Sequence, residues 1–143
     1  MVTVDTNVLV NALNADAADQ ARAAHALEDL VNGSEHWALS WTVIYEFLRV
    51  VTHPRVFARP LSVGEAYAFI HELAESRTCT VITESSQHRQ QLRESIDDIP
   101  RLAGTILHDF HIAVLMREHG ITDLLTFDTD FRAFSWVSTR ELP

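Results

Sequence analysis

A chain of 143 residues, 47% of them hydrophobic and 22% charged, has the size of one compact globular domain able to bury most of its apolar surface. Twenty acidic residues against 11 basic ones give a formal charge of −9, which excludes a diffuse affinity for nucleic acid. All 11 basic residues are arginine, so phosphate-loop lysines, Schiff-base lysines and the lysine that receiver domains and haloacid-dehalogenase phosphatases pair with their aspartates are excluded too. No stretch approaches the roughly 18 to 20 uninterrupted apolar residues of a membrane span, and no basic segment precedes an apolar signal core. A cytoplasmic protein without membrane contact is expected. The single cysteine, Cys79, can form no internal disulfide and reads as a small buried hydrophobe.

Met1 to Asp5 reads as a short strand ending on a carboxylate and passing into Thr6-Asn7-Val8-Leu9-Val10,. Asp16 or Asp19 can cap a helix through Ala23, Leu27, Leu30 and Val31 that stops near Asn32-Gly33,. Trp37 to Ser40 is a second strand, and Trp41 to Val51 follows helical spacing until Thr52-His53-Pro54 ends it,. Arg55 to Pro60 is irregular and is expected as a surface loop. Ser62 and Glu65 suggest a capping box before a helix through Phe69, Ile70 and Leu73, followed by a strand from Cys79 to Ile82,. Ser85 to Ile96 reads as a polar helix. Another helix starts near Gly104 and runs through Met116, with Gly120 as its left-handed cap,. Asp123 to Phe127 reads as a strand running into Asp128-Thr129-Asp130, and Trp136 to Ser138 as a last edge strand. Strands alternating with helices call for a parallel sheet covered on both faces.

Two acids stand where solvated residues are not expected. Glu46 lies three residues after Val43 and four before Val50, which puts it on the apolar stripe of its helix, and Asp109 shares a stripe with Ile106, Ala113 and Met116,. No arginine lies in either stripe, and a buried lone carboxylate takes up a proton or finds a cation. Asp5 and Asp128 each end an apolar strand, and in a parallel sheet the carboxyl ends of adjacent strands meet at one crevice. Oxygen ligands without histidine or cysteine favour a hard cation, magnesium or manganese, which suits phosphodiester cleavage. Asn7 and Thr126 are short polar side chains placed to hold a carboxylate from behind.

Each residue also has a plainer reading. Asp5 can end a strand and bond the next amides, Asp128 and Asp130 can be turn residues, and Glu46 and Asp109 can sit at helix edges paired with Arg49 or Arg117. His108 and His111 flank Asp109 at spacings that point to different sides of a helix, so a histidine zinc site is not expected. Phe127, Phe131, Phe134 and Trp136 read as core or dimer-contact residues. Arg49, His53, Arg55 and Arg59 form a basic stretch that is either solvated surface or a phosphate-binding rim.

Taken together, these residues resemble the PIN-domain ribonucleases and, within them, the VapC toxins. Val4-Asp5-Thr6-Asn7-Val8-Leu9-Val10 is similar to the opening motif, Tyr45-Glu46-Phe47-Leu48 carries the second acid and His108-Asp109 the third. Leu125-Thr126-Phe127-Asp128-Thr129-Asp130-Phe131 is similar to the closing motif, with Asp128 the fourth acid and Asp130 its accessory. The run from Phe47 to Arg55 resembles a VapC subgroup in particular. The resemblance implies one α/β/α sandwich domain over residues 1–143 and a divalent-metal endoribonuclease acting on RNA such as tRNA. It further implies a homodimer, and a VapB-type antitoxin that occupies the acidic pocket. The segment from Thr80 to Leu102 is more polar than the family leads one to expect. Another metal-dependent phosphatase or nuclease, or a non-catalytic PIN-like module, are the competing readings. A haloacid-dehalogenase phosphatase wants D-x-D at the first strand and a later lysine, where this chain has Asp5-Thr6-Asn7 and no lysine.

Overall fold

Four of the five strands begin as short apolar runs after a loop and lead into a helix, the arrangement that builds a parallel sheet. In the computed structural model, which describes residues 1–143, these are β1 (Val2–Val4), β2 (Trp37–Ser40), β3 (Cys79–Ile82) and β4 (Asp123–Leu125), joined at the edge by β5 (Ser138–Arg140). Every pairing is parallel, in the order β3-β2-β1-β4-β5. Six helices flank the sheet in a three-layer α/β/α sandwich: α1 (Thr6–Leu13), α2 (Gln20–Asn32), α3 (Trp41–Val51), α4 (Val63–Ala74), α5 (His88–Asp98) and α6 (Ile106–Glu118). Helix α1 packs on α2 and α3, α3 on α4, and α5 on α6. No helix is long and apolar enough to cross a membrane.

The core is one apolar cluster of 32 buried residues, in which Trp37, Phe47, Phe131 and Phe134 are the largest fully buried side chains. Strands β1 and β2 are buried along their whole length, as central strands of a sheet covered on both faces must be,. The chain runs outward from β1 to β2 and β3, then returns to the other side of β1 for β4. That reversal opens a crevice beyond the carboxyl ends of β1 and β4, where ligands bind in open α/β sheets.

Several boundaries differ from the sequence reading, each for a local reason. Strand β4 stops at Leu125 because the Thr126 hydroxyl takes the Asp128 N–H at 2.9 Å and turns the chain aside. A 3-10 turn over Asp130–Ala133 follows. Trp136 donates its indole N–H to the Ala113 carbonyl at 2.8 Å, which pins it on α6, so the edge strand begins only at Ser138. Asp19 precedes α2 but forms no side-chain cap, because its carboxylate pairs with Arg22. Ser85 closes a turn with Gln87 and His88, so α5 starts at His88. Gly104 (φ 75°) lies outside α6, and Gly120 (φ 67°) takes the left-handed conformation expected after it,.

The capping box of α4 forms as the sequence implied: Ser62 Oγ accepts from the Glu65 N–H at 3.1 Å and Glu65 accepts from the Ser62 N–H at 3.2 Å. Ser62→Ala should lower the unfolding free energy by about 1 kcal/mol in urea denaturation without changing the slope. An unchanged midpoint would show that this cap contributes nothing.

Candidate metal centre

Asp5 follows β1 directly and caps α1, with an extended backbone (φ −79°, ψ 156°) that lets Oδ1 accept from the Thr6 N–H at 2.7 Å. Its other oxygen accepts the Thr126 hydroxyl at 2.7 Å. The Val4–Leu125 register of β1 and β4, continued by the Asp5 N–H donating to the Leu125 carbonyl at 2.9 Å, is what sets these two side chains side by side. Thr126 is also an acceptor, for Asn7 Nδ2 at 3.2 Å and the Asp128 N–H at 2.9 Å. Asn7 reaches back with its carbonyl oxygen to the Phe127 N–H at 3.3 Å. One hydroxyl thus joins Asp5, Asn7 and Asp128 with its donor and acceptor capacity in use.

Asp128 does not end the strand, as its place in the sequence suggested. It lies in the turn three residues beyond, where Oδ1 accepts from the Asp130 N–H at 2.8 Å. This turn brings Asp128 and Asp130 to Asp109, in the first turn of α6, with one carboxylate oxygen from each lying within 4.8 Å of the others. Asp130, read from sequence as accessory, is a full member of the triplet. Asp5, Glu46, His108, Asp109 and Asp128 line one crevice with Asn7 and Asn11. The acids of β1, α3, α6 and the β4 turn are therefore gathered.

Glu46 corrects one expectation. It sits at the edge of α3 rather than under it, and Arg49, one turn on, grips its carboxylate through Nε at 3.0 Å and also through Nη2. That guanidinium, against the opposing effect of burial, holds the Glu46 carboxyl below its ordinary range. The plainer reading of Glu46 as an edge residue paired with Arg49 is thus the observed one, although the side chain still lines the crevice. Arg117 pairs with Asp98 instead of Asp109.

Asp109 is consequently the least compensated acid. Burial first, then the charges of Asp5 and Asp128, push its carboxyl up to about 6, while the nearby His108 ring works downward. Burial also raises Asp5, against the bonds from Thr126 and Thr6. Three clustered carboxylates without a guanidinium form an oxygen-only donor set that fits a hard divalent cation.

Two polar features of this region were given no role from the sequence. His108 lines the crevice with a buried Nε2 that has no hydrogen-bond partner. A groove that meets the acidic crevice at Asp128 is lined by Thr126 and Phe127 and flanked by Arg22 and Arg132. Arg132 forms no ion pair, whereas Arg22 is bonded to Asp19 and the chain's last carbonyls. Of the basic residues singled out from sequence, Arg49 is engaged by Glu46, His53 Nδ1 accepts from the Arg55 N–H at 3.1 Å, and Arg55 is exposed. The aromatic residues 127, 131, 134 and 136 join or pack against the core, and Cys79 is half-buried with its thiol pushed up to about 11 by burial.

The PIN domain family model matches residues 2–137. Ribonuclease VapC48 of Mycobacterium tuberculosis is 31% identical over 140 residues, covering 97% of this chain and 95% of that protein. Ribonuclease VapC43 of the same organism is 32% identical over 134 residues, covering 94% and 90%. Among solved structures, Mycobacterium tuberculosis VapC20, described as a sarcin-ricin loop cleaving toxin, superposes with a TM-score of 0.69 at 20% identity over 98% of this chain and 99% of that one. Rickettsia felis VapBC2, bound to a promoter DNA fragment, superposes with a TM-score of 0.68 at 17% identity over the full length of both chains. The chain belongs to the PIN-domain family, and its fold is that of the VapC structures.

The raised Asp109 carboxyl links stability to pH. A folded-state value near 6 against an ordinary 3.8 means that this group contributes stability below the ordinary value and loses it as pH rises through the folded one. Metal-free Asp109→Asn should therefore be more stable than wild type at neutral pH, by about 1 kcal/mol once solvent screening at a part-exposed site is allowed for. The difference should shrink toward zero near pH 4, about where the unfolded group titrates. Thermal melts of both proteins across that range check it, and an equal or lower stability of the variant at neutral pH contradicts it.

Proposed function

We propose that this protein is a metal-dependent endoribonuclease, the toxin component of a toxin–antitoxin pair, acting as one nuclease domain in the cytoplasm. The observation that carries the reading is the gathering of Asp109, Asp128 and Asp130, with Asp5 and Glu46 beside them, in a chain of the PIN-domain family. Relatives at about a third identity are named as ribonucleases, which supports RNA as the substrate. Magnesium or manganese is the ion this donor set favours, held by Asp109 and Asp128 with Asp5 and Asp130 completing the anionic wall. A divalent ion bound there supplies Lewis-acid polarisation of the phosphodiester and of the attacking water.

The chain's own residues do the rest. Thr126 and Asn7 fix Asp5 and Asp128, so the carboxylates do not reorganise when substrate arrives,. Arg132, flanking the adjoining groove, and the exposed Arg55 offer positive charge for neighbouring phosphates, with Arg49 and His53 between Arg55 and the crevice along the chain,. Because the protein is strongly acidic overall, RNA approaches only through these local contacts and the metal.

A VapB-type antitoxin suits the same crevice. Glu46 already accepts a two-pronged guanidinium from Arg49, and an arginine or lysine from a partner tail can satisfy the remaining carboxylates in the same way, in competition with the ion. Solved relatives crystallised as VapBC assemblies support such a partner. A second copy of the chain has apolar surface to meet on Trp41 and Tyr45 of α3 and Val63 and Tyr67 of α4, all exposed.

Incubating the purified protein with total RNA plus magnesium, manganese or chelator tests the reading. Cleavage that appears with metal, disappears with chelator and falls at least about a hundredfold in folded Asp5→Asn and Asp109→Asn is expected, since the loss of one ligand disrupts both metal affinity and positioning. Undiminished cleavage in either variant, or cleavage in chelator, would overturn the site.

A further inference from the structure

Helix α6 carries a second polar cluster that has no part in the nuclease reading. Glu84 just past β3, His88 at the start of α5 and His111 on α6 each offer one ligand atom, and the three atoms lie within 4.8 Å of one another. His111 is two residues from Asp109 and so faces another side of the helix, and the two clusters share no residue. His111 Nε2 stands 2.6 Å from Glu84 Oε1. His88 Nδ1 stands 2.5 Å from Glu118 Oε1, and the Glu118 side chain is wholly covered and also accepts the Ser85 N–H. The two imidazoles meet edge to face at 5.9 Å between centroids.

We propose that Glu84, His88 and His111 form a binding site for a transition-metal ion of the zinc class, with Glu118 orienting His88 from behind. The bond between His88 Nδ1 and the covered Glu118 carboxylate orients the ring and leaves Nε2 as the nitrogen available to a metal, the arrangement by which a carboxylate behind a ligating histidine prepares it,. Two imidazole nitrogens and one carboxylate oxygen suit zinc and its neighbours, whereas magnesium requires an octahedral oxygen shell. The chain thus holds two sites of different chemical preference, an oxygen-only crevice and a mixed nitrogen and oxygen cluster. Metal bonds of about 2.0 to 2.1 Å place tetrahedral ligand atoms roughly 3.4 Å apart, so the ion enters by parting Glu84 from His111. Those side chains are 40% and 38% exposed, so solvent gives them room to part. A water molecule would complete the fourth position.

The site joins a helix that buries little of its own surface. Only Ser95 of α5 is fully buried, and polar contacts such as Arg117 with Asp98 and Ser95 help to tie the helix to α6. An ion shared by the end of β3, α5 and α6 fastens that polar helix. It also sets the shape of the apolar groove between α5 and α6, which His88 and His111 border together with Leu92, Ile96, Leu107 and Phe110.

The test uses Co2+ and Zn2+ with an Asp109→Asn/Asp128→Asn protein, in which the acidic crevice lacks two of its carboxylates. One equivalent of Co2+ should bind with the intense visible absorption of a four-coordinate ion, and Zn2+ should displace it and raise the melting temperature. Adding Glu84→Gln, an exposed change that leaves the core untouched, or His111→Gln, or His88→Gln should each abolish the band in protein whose circular dichroism is unchanged. Absence of one-equivalent binding in the Asn variant, or an undiminished band after Glu84→Gln or His111→Gln, overturns the proposal and leaves the cluster as two hydrogen-bonded His–Glu pairs.

Discussion

Carboxylates brought within a few ångströms of one another at the edge of a low-dielectric core repel, and the rest of this molecule is arranged around that repulsion. Asp109, Asp128 and Asp130 face one another without an arginine among them, and Asp5 lies behind them in the same crevice. The protein has no lysine with which to neutralise the group. Burial first, then the charges of Asp5 and Asp128, push the Asp109 carboxyl up to about 6, a cost that a bound proton or a cation relieves. Such a cluster lowers stability unless a cation neutralises it, and its oxygen-only donor set fits one,.

Holding them requires a scaffold that does not yield. The strand order puts β1 beside β4 at the point where the chain reverses direction across the sheet, so Asp5 and Thr126 are neighbours through backbone register rather than through flexible side-chain reach. Thr126 then passes order outward, to Asp5, to Asn7 and to the turn of Asp128, each bond being 3.2 Å or shorter. Glu46 is treated differently. Its arginine travels with it on the same helix turn, so it adds a guanidinium-occupied anion to the rim instead of further repulsion. The crevice therefore contains carboxylates in two states, some without a cationic partner and one already paired with a guanidinium,.

Much of this was legible in the residues because it depends on local rules. Alternating apolar runs placed β1 to β4, the Ser62 and Glu65 pair announced α4, and Asp5, Glu46, Asp109 and Asp128 stood out as acids, although Asp128 lies beyond its strand and Glu46 at the edge of its helix. What was not legible depends on contacts between distant segments. The spacing of Glu46 offered both the apolar face and an edge pairing with Arg49, and only the packed structure decides for the edge. The Trp136 indole bond to Ala113 moves β5 by two residues, and no local propensity encodes it. His88 and Glu84 meet His111 only because α5 packs on α6, whereas sequence spacing could compare only histidines of one helix. Arg132 escaped notice because its nearness to the acids comes from the 3-10 turn after Asp128.

The account stands on the claim that Asp109 is an uncompensated acid awaiting a cation. Carboxyl carbon NMR of wild-type protein, with the Asp109 resonance assigned through Asp109→Asn, reads this directly. Without metal the resonance should titrate near 6, and with saturating magnesium or manganese-competed magnesium its midpoint should fall below the ordinary aspartate range, because the ion favours the ionised form. An ordinary aspartate midpoint without metal, unmoved by magnesium, would contradict both the gathering of the acids and the metal centre built on it.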